Sequence, residues 1–367
     1  MRKETVKSDS FKCPSCGADM KFSPATGAMH CDFCERDEAI EAIDEEIEEY
    51  DFATAETDET LNDWGGETKT VECENCGGKT VVPAGETTVA CAFCGSPKVV
   101  DKEELPGIKP ESLIPFKIDI DKAGELFKAW IKKRKFSPSA LKREYRADNA
   151  KGVYIPYWSY DTNARSTYTG QAGDYYYDTE TYTETVDGRT QTKNRQVRKV
   201  RWRFVSGTYD KTFDDIIFSD SGNVDQKMIE RIEPFRLNEL VHYDPRFLAG
   251  FAAERYSKGL KAVWERAKAF MSKIIRGDIV EIIGRSCDEV GNVNVSTNYT
   301  DIKYKHMLLP VWISAYHYRN KLFNFYINGQ TGEVQGKAPK SFFKISGLIL
   351  LIAGIGVGLY FLLTNVL

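Results

Sequence analysis

Sulfur is the first chemistry this sequence offers. Cys13, Cys16, Cys31 and Cys34 form two Cys-x-x-Cys pairs with fourteen residues between them, and the pattern recurs sixty positions later as Cys73, Cys76, Cys91 and Cys94. A Cys-x-x-Cys turn delivers two thiolates from one knuckle, and two knuckles complete the tetrahedron that Zn²⁺ prefers. Four sulfurs leave no coordination position for water or substrate, so each quartet points to structural rather than catalytic zinc. Both copies carry Gly after the second cysteine (Gly17, Gly77) and Phe before the last (Phe33, Phe93), which makes them an internal repeat. A ribbon of roughly 25 residues cannot bury enough surface to fold by itself. Zinc would supply about 10–16 kcal/mol of apparent binding energy that becomes folding energy. The start of the chain, MRKETVKSDSFK, has no apolar run of the secretory kind. The expectation is a reducing compartment, where thiols serve metal rather than disulfides.

The second quartet begins CENCGGKT over residues 73–80, and its Gly78-Lys79-Thr80 matches the end of a phosphate-binding loop. That loop needs Gly-x-x-x-x-Gly-Lys-Thr after a buried strand and before a helix. Counting back from Gly78 puts the required glycine at position 73, where Cys73 stands, and the following VVPAGETTVA reads as strand and turn. The ATPase reading fails on both counts, and Lys79 and Thr80 are expected on the ribbon surface.

Constellations for catalysis are scarce elsewhere. The four histidines, His30, His242, His306 and His317, sit in no ligand or nucleophile pattern, and the complete cysteine set makes His30 superfluous beside Cys31. Cys287 in GRSCDEV reads as an incidental thiol, and no Gly-rich dinucleotide fingerprint follows a strand. No enzymatic activity is expected. The formal net charge is −4, which gives no global drive toward nucleic acid. One basic tract, residues 189–203, holds Lys193, Arg195, Arg198, Lys199, Arg201 and Arg203 with Trp202 and Phe204 interleaved. Alternation puts Lys199, Arg201 and Arg203 on one strand face and Val200, Trp202 and Phe204 on the other. Glu180, Glu184 and Asp187 are placed to pair across a hairpin, so a solvated sheet face is the better reading than a nucleic-acid or lipid-headgroup surface.

These features need elements to hold them. Aromatic residues (19 Tyr, 20 Phe, 6 Trp) concentrate after residue 115 and favour a β-rich region. Zinc ribbons are expected over 11–36 and 69–100. An acidic linker over 37–68 separates them, either solvated or forming an amphipathic helix on Ile40, Ile43, Ile47 and Tyr50. A first α+β half over 105–240 starts with a helix bearing Leu126, Phe127, Trp130 and Ile131, then long strands turning at Asp187-Gly188. A second half over 241–338 starts with helix over roughly 245–276 and returns to strands with turns at Asn328-Gly329 and Thr331-Gly332. Pro156-Tyr157-Trp158 and Pro310-Val311-Trp312 suggest that the halves are related. The uncharged stretch ISGLILLIAGIGVGLYFLL, residues 345–363, would span about 28 Å as helix, close to bilayer thickness. Lys337, Lys340 and Lys344 flank its start, so the positive-inside rule would place the rest of the chain in the cytoplasm.

With these residues in view, the chain resembles the bacterial YdjG-type family of tandem zinc-ribbon (transcription-factor-IIB-type), tail-anchored membrane proteins. The two quartets carry the resemblance, with GVYIPYWSYD (152–161), FLAGFAAERY (247–256), YKHMLLPVWISAYHY (304–318), YINGQTGEVQGKAP (326–339) and the terminal apolar stretch. It covers nearly the whole chain. Glu35 stands in the first ribbon where the second has Gly95. The resemblance implies an envelope-stress role and partners of the SPFH (flotillin-like) and PspA types, held at the cell membrane. The expected architecture is a multidomain α+β protein. It has two zinc ribbons, a mixed helix and antiparallel-sheet body with a suggested internal duplication, and a single transmembrane helix over 343–365. The expected function is a membrane-anchored adaptor with two structural Zn²⁺ sites, bound to the bilayer by its last helix. The alternative is a membrane-tethered nucleic-acid-binding protein.

Overall fold

The protein, as a computed structural model, is described over residues 11–41, 43, 46–55, 68–83, 91–94, 96, 98–102, 108–138, 150–186, 189–318, 321–339 and 341–366. The first ribbon folds as a separate three-stranded sheet: β1 (Lys21–Ser23), β2 (Ala28–His30) and β3 (Asp37–Glu38). The remaining strands form one sheet of twelve. They are β4 (Tyr50–Asp51), β5 (Thr68–Cys73), β6 (Lys79–Pro83), β7 (Val99–Lys102), β8 (Ser112–Leu113), β9 (Ala150–Val186), β10 (Arg189–Ser219), β11 (Val241–His242), β12 (Ala252–Glu254), β13 (Glu289–Tyr318), β14 (Lys321–Asn328) and β15 (Val334–Gly336). The helices are α1 (Ile120–Lys132), α2 (Gln226–Ile229), α3 (Leu260–Gly284) and α4 (Phe342–Val366).

Three long strands set the frame. β9 is 37 residues long, β10 31 and β13 30. β9 lies between the other two, antiparallel to both. Each register shift falls beside an Asx residue in the left-handed region: Asp215 (φ 49°) in β10, and Asn292 (φ 48°) and Asp301 (φ 53°) in β13. Asx side chains tolerate that backbone better than other non-glycine residues, which suits them to bulges that bend a long ribbon.

The two helices that cover the sheet bury apolar residues at helical spacing. α1 is capped by Asp119, whose Oδ1 accepts from the Lys122 backbone N–H at 2.7 Å. It buries Ala123, Phe127 and Ile131, one turn apart. α3 buries Leu260, Val263, Trp264, Ala267, Met271, Ile275, Ile279 and Ile283, a stripe along its whole length. That stripe packs in one core cluster with Trp158, Tyr160, Ala164, Ala172 and Val293 of the long strands. The order short strand, helix, long strand occurs twice, as β8-α1-β9 and β12-α3-β13. β8 runs parallel to β13 and β12 runs parallel to β9, so each short strand docks on the other unit's long strand.

Several expectations are corrected. The protein is mostly β, 45% strand against 23% helix, rather than the multidomain α+β class expected. Residues 245–259, expected to be helical, form a 3₁₀ turn and β12, because Gly250 (φ 89°) and Gly259 (φ 84°) turn the backbone out of the helical region. The helix starts only at Leu260 and then runs on to Gly284. Thr80 is buried rather than on the ribbon surface, at 5% exposure. The transmembrane helix over 343–365 is overturned: among the described residues, no helix is long and apolar enough to cross a membrane. The segment does coil into α4, but Lys344 sits in its first turn, donating to the Ser137 carbonyl at 2.6 Å. The single-pass membrane placement, with the bulk of the chain cytoplasmic, rested on that span and falls with it. The Asp187-Gly188 turn lies outside the described residues.

Ile279 has no exposed surface under the sheet. Ile279→Ala is expected to destabilise the body by about 3 kcal/mol, read as a lower urea midpoint in tryptophan fluorescence.

Candidate metal centres

Each quartet is built by two tight turns. In the first ribbon, Gly17 (φ 74°) lets its own N–H reach back to the Cys13 carbonyl at 2.9 Å. The second turn repeats this at Glu35 (φ 57°), whose N–H donates to the Cys31 carbonyl at 2.9 Å. Gly77 (φ 73°) does the same for the second ribbon, donating to Cys73 at 2.8 Å. Gly95, matching Glu35, lies outside the described residues. A left-handed residue follows each of these three knuckles. Glycine supplies it freely, and Glu35 adopts it against its own Cβ.

The turns bring all four sulfurs of each set within 4.8 Å of one another. Cys13 to Cys34 and Cys16 to Cys31 are both 3.5 Å apart, and Cys73 to Cys94 and Cys76 to Cys91 are 3.7 and 3.6 Å apart. Zinc–sulfur bonds of about 2.3 Å in a tetrahedron put sulfurs roughly 3.8 Å apart. The donor chemistry and spacing fit two structural zinc sites of Cys₄ type, as the sequence indicated. Backbone N–H groups of the knuckles point at the sulfurs. Burial raises the Cys13 thiol, but donation from Cys16 and Ser15 N–H and from neighbouring thiols outweighs it and brings Cys13 down to about 6. Cys31 is lowered by the N–H groups of Cys34 and Phe33. In the second ribbon Asn75 Nδ2 lies 3.6 Å from Cys94 Sγ, and that thiol falls to about 7 although burial opposes it. Amides around a metal site stabilise the thiolates that zinc needs. His30 turns away, its Nδ1 2.7 Å from Asp37.

The two centres are mounted differently. The second is part of the body: β6 pairs with β12, and Cys73, Cys91 and Phe93 share a core cluster with Val153, Tyr157, Ile229 and Ile232. The first rests on the body through one face. Phe22 packs edge-on against Phe247 at 5.1 Å and donates its N–H to the Ala249 carbonyl. Cys13 and Cys31 are buried there, while Cys16 and Cys34 are exposed.

The aromatic of each second knuckle follows this difference. Phe93 is 4% exposed and Phe33 is 81% exposed. A Cβ built on Gly78 would stand 2.8 Å from Phe93 Cδ2, so the ring depends on a glycine beneath it. The first ribbon has Ala18 at the matching place.

The other sequence candidates are satisfied locally. The His306 ring is buried and stacked on Trp158 at 4.5 Å, with Nδ1 2.9 Å from the Ile108 carbonyl, and burial lowers it to about 4. Cys287 donates to the Ile283 and Glu289 carbonyls. The His317 side chain is outside the described set. The basic tract is largely matched by the opposite strand: Lys193 with Glu184 and Lys199 with Asp178, both at 2.7 Å, and Arg195 with Glu180 at 3.3 Å. Arg198 lies over Tyr175 and Arg201 over Tyr176. Lys199, Arg201 and Arg203 do share one face, yet Trp202 and Phe204 opposite are exposed, with no covering layer on that side among the described residues.

Sequence reading missed the buried carboxylates, which no local motif announces. Lys305 bridges Asp215 at 2.8 Å and Glu49 at 3.2 Å, tying the acidic linker to β13, and burial beside Glu49 raises Asp161 to about 6. Glu254 in β12 is 1% exposed, accepts from Asn223 Nδ2 at 2.7 Å, and is pushed up to about 7 by burial.

The fold and these sites define a mostly β protein with two Cys₄ zinc-ribbon centres. No family model matches the chain, and no solved structure matches it. It is similar to the uncharacterized protein YdjG of Bacillus subtilis (strain 168), 29% identical over 354 residues that span 94% of each chain. That likeness supports the YdjG-type resemblance along almost the full length, and the two quartets support its zinc ribbons.

Gly78→Ala is expected to destabilise by about 1–3 kcal/mol through overpacking against Phe93, whereas Ala18→Gly should not. Paired urea titrations of the zinc-loaded variants check this. Glu254 has a folded value near 7 against 4.5 for an ordinary glutamate. The folded state therefore holds the proton more tightly, and this contribution is complete below pH 4.5 and lost as pH rises through 7. The urea midpoint should fall between about pH 4.5 and 7 and level off above that, and Glu254→Gln should flatten that slope.

Proposed function

We propose that this chain is a non-enzymatic adaptor whose first zinc ribbon docks partner proteins while the second is locked into the body. The observation that carries the reading is the mounting of the first ribbon. A complete quartet leaves its metal no open position for substrate, yet Cys16, Cys34 and Phe33 face solvent. A metal-built knuckle with an exposed aromatic is a surface for another macromolecule rather than a reaction site. The choice of partner rests on the family resemblance, which favours proteins of the SPFH and PspA types. The paired charges of the basic tract speak against nucleic acid, since binding there would have to displace several ion pairs.

The test is affinity purification of the tagged full chain from nuclease-treated, detergent-solubilised cells, compared with a Cys16→Ser/Cys34→Ser variant. An SPFH-type or PspA-type protein should copurify with the wild type and be reduced at least tenfold in the variant. Equal recovery by both would remove the first ribbon from recruitment, and ribbon-dependent recovery of DNA or RNA without nuclease would overturn the adaptor reading.

A further inference from the structure

Part of the segment that joins the two ribbons is seated on the body. β4 pairs with β13 at Tyr50–Tyr304 and Asp51–Lys303, beside the bulge where Asp301 (φ 53°) interrupts the β9–β13 register. The Phe52 N–H donates to the Ile302 carbonyl at 3.0 Å. The Tyr50 ring lies 5.9 Å from Tyr304, and the Phe52 ring 5.5 Å from Trp264 of α3. Ala55 is buried in the same cluster. Residues 49–55 thus form a short strap across the junction of α3 and β13. A two-residue strand and two rings are a small hold, of the kind that opens locally without unfolding the rest.

A group of charges sits at the upstream end of this strap. Glu49 of the strap, Asp161 of β9 and Asp215 of β10 bring three carboxyls to Lys303 and Lys305 of β13. Lys305 Nζ lies 2.8 Å from Asp215 and 3.2 Å from Glu49, and Lys303 Nζ lies 3.4 Å from Glu49. Asp161 Oδ1 accepts from the Asp215 N–H, and Ser159 Oγ donates to Asp215 at 3.0 Å. Asp161 Oδ2 is buried, and among the described residues no donor reaches it. The Asp161 and Glu49 carboxyls are in contact. The other charged groups of these elements are engaged elsewhere or exposed. Asp51 accepts from the Ala53 N–H, Asp301 from Asn163, Lys211 pairs with Asp278, and Glu48 and Asp214 are exposed.

Two lysines balance two of the three carboxylates, and two touching carboxyls cannot both stay ionised at low cost. Burial and Glu49 together raise Asp161 from 3.8 to about 6, whereas Lys305 holds Glu49 below the usual glutamate range although burial opposes it. We infer that residues 49–55 are a proton-operated strap: protonated Asp161 donates to Glu49 and clamps the segment to the body, and loss of that proton sets two carboxylates against each other and loosens it. Loosening lengthens the tether between the ribbons and uncovers Tyr304 and Trp264. The inference concerns the strap alone and stands apart from the adaptor reading.

The direction with pH follows from the neighbours. When the strap lifts, Asp161 loses Glu49 and its value falls toward 3.8. Docking therefore holds the proton more tightly, weakens as pH rises toward 6 and levels off above that. The test is hydrogen exchange of the zinc-loaded full chain at about pH 5 and 7.5, corrected for the intrinsic pH dependence of exchange. The Phe52 amide should be roughly tenfold better protected at the lower pH, the factor that one pKa unit carries. Asp161→Asn supplies an amide donor to Glu49 at every pH and should protect Phe52 equally at both. Glu49→Gln should also abolish the difference. Glu254→Gln should retain it, which separates the strap from the pH dependence of the whole fold. Equal protection of Phe52 at both pH values in the wild type would overturn the inference. So would an Asp161→Asn or Glu49→Gln variant that keeps the wild-type difference, or a Glu254→Gln variant that loses it.

Discussion

Four thiolates on one metal ion are the constraint from which the N-terminal quarter of this protein follows. Neither ribbon has a core of its own. The first contributes Met20, Phe22 and Met29 to a cluster completed by Phe247, Leu248 and Phe251 of the body. Zinc fixes the knuckles, the knuckles fix which faces of the ribbon are apolar, and those faces decide where each ribbon rests. The same local chemistry then yields two outcomes: Phe93, lying over Gly78, is packed into the body core, while Phe33 stays exposed in solvent.

The body solves a different problem. Three strands of thirty or more residues would be flat and hard to cover. Asx bulges bend them, α3 lays one continuous apolar stripe along them, and short parallel strands from each half clamp the other half's long strand. Past the Gly173–Trp202 pair, β9 and β10 have no third strand among the described residues. There the pair is held by backbone hydrogen bonds and by ion pairs such as Lys199 with Asp178. Exposed ion pairs contribute little each.

What could be read in the sequence was local. The quartets, their glycines and the failure of the phosphate-loop match all depend on spacing within a few residues. The α1 stripe on Leu126, Phe127, Trp130 and Ile131 was equally plain, and so was the alternation that sorts Lys199, Arg201 and Arg203 from Val200, Trp202 and Phe204. Readings failed where distant residues or a single backbone angle decide. Apolar residues over 245–259 look helical until Gly250 and Gly259 are placed at positive φ. Thr80 looks like ribbon surface until β12 pairs beside it. The terminal apolar stretch reads as a span by composition, whereas among the described residues no helix is long and apolar enough to cross a membrane. Buried Glu254 and the Glu49–Asp161–Asp215–Lys305 group join segments far apart in the chain and leave no trace in any short window. The opposite fates of Phe33 and Phe93 were hidden for the same reason, since only the packed body shows which ring has a seat.

The central claim is that the two zinc ions hold different things: the second secures the body, the first secures an exposed ribbon. Stepwise chelation of the zinc-loaded chain, followed by released metal and by hydrogen exchange, tests this directly. The account predicts two phases. Loss of the first zinc should expose amides of residues 11–38 and leave β9, β13 and α3 protected. Loss of the second should then deprotect β5, β6, β12 and the strands packed on them. Release of both ions in one phase, or loss of protection in β9 and α3 with the first ion, would contradict it.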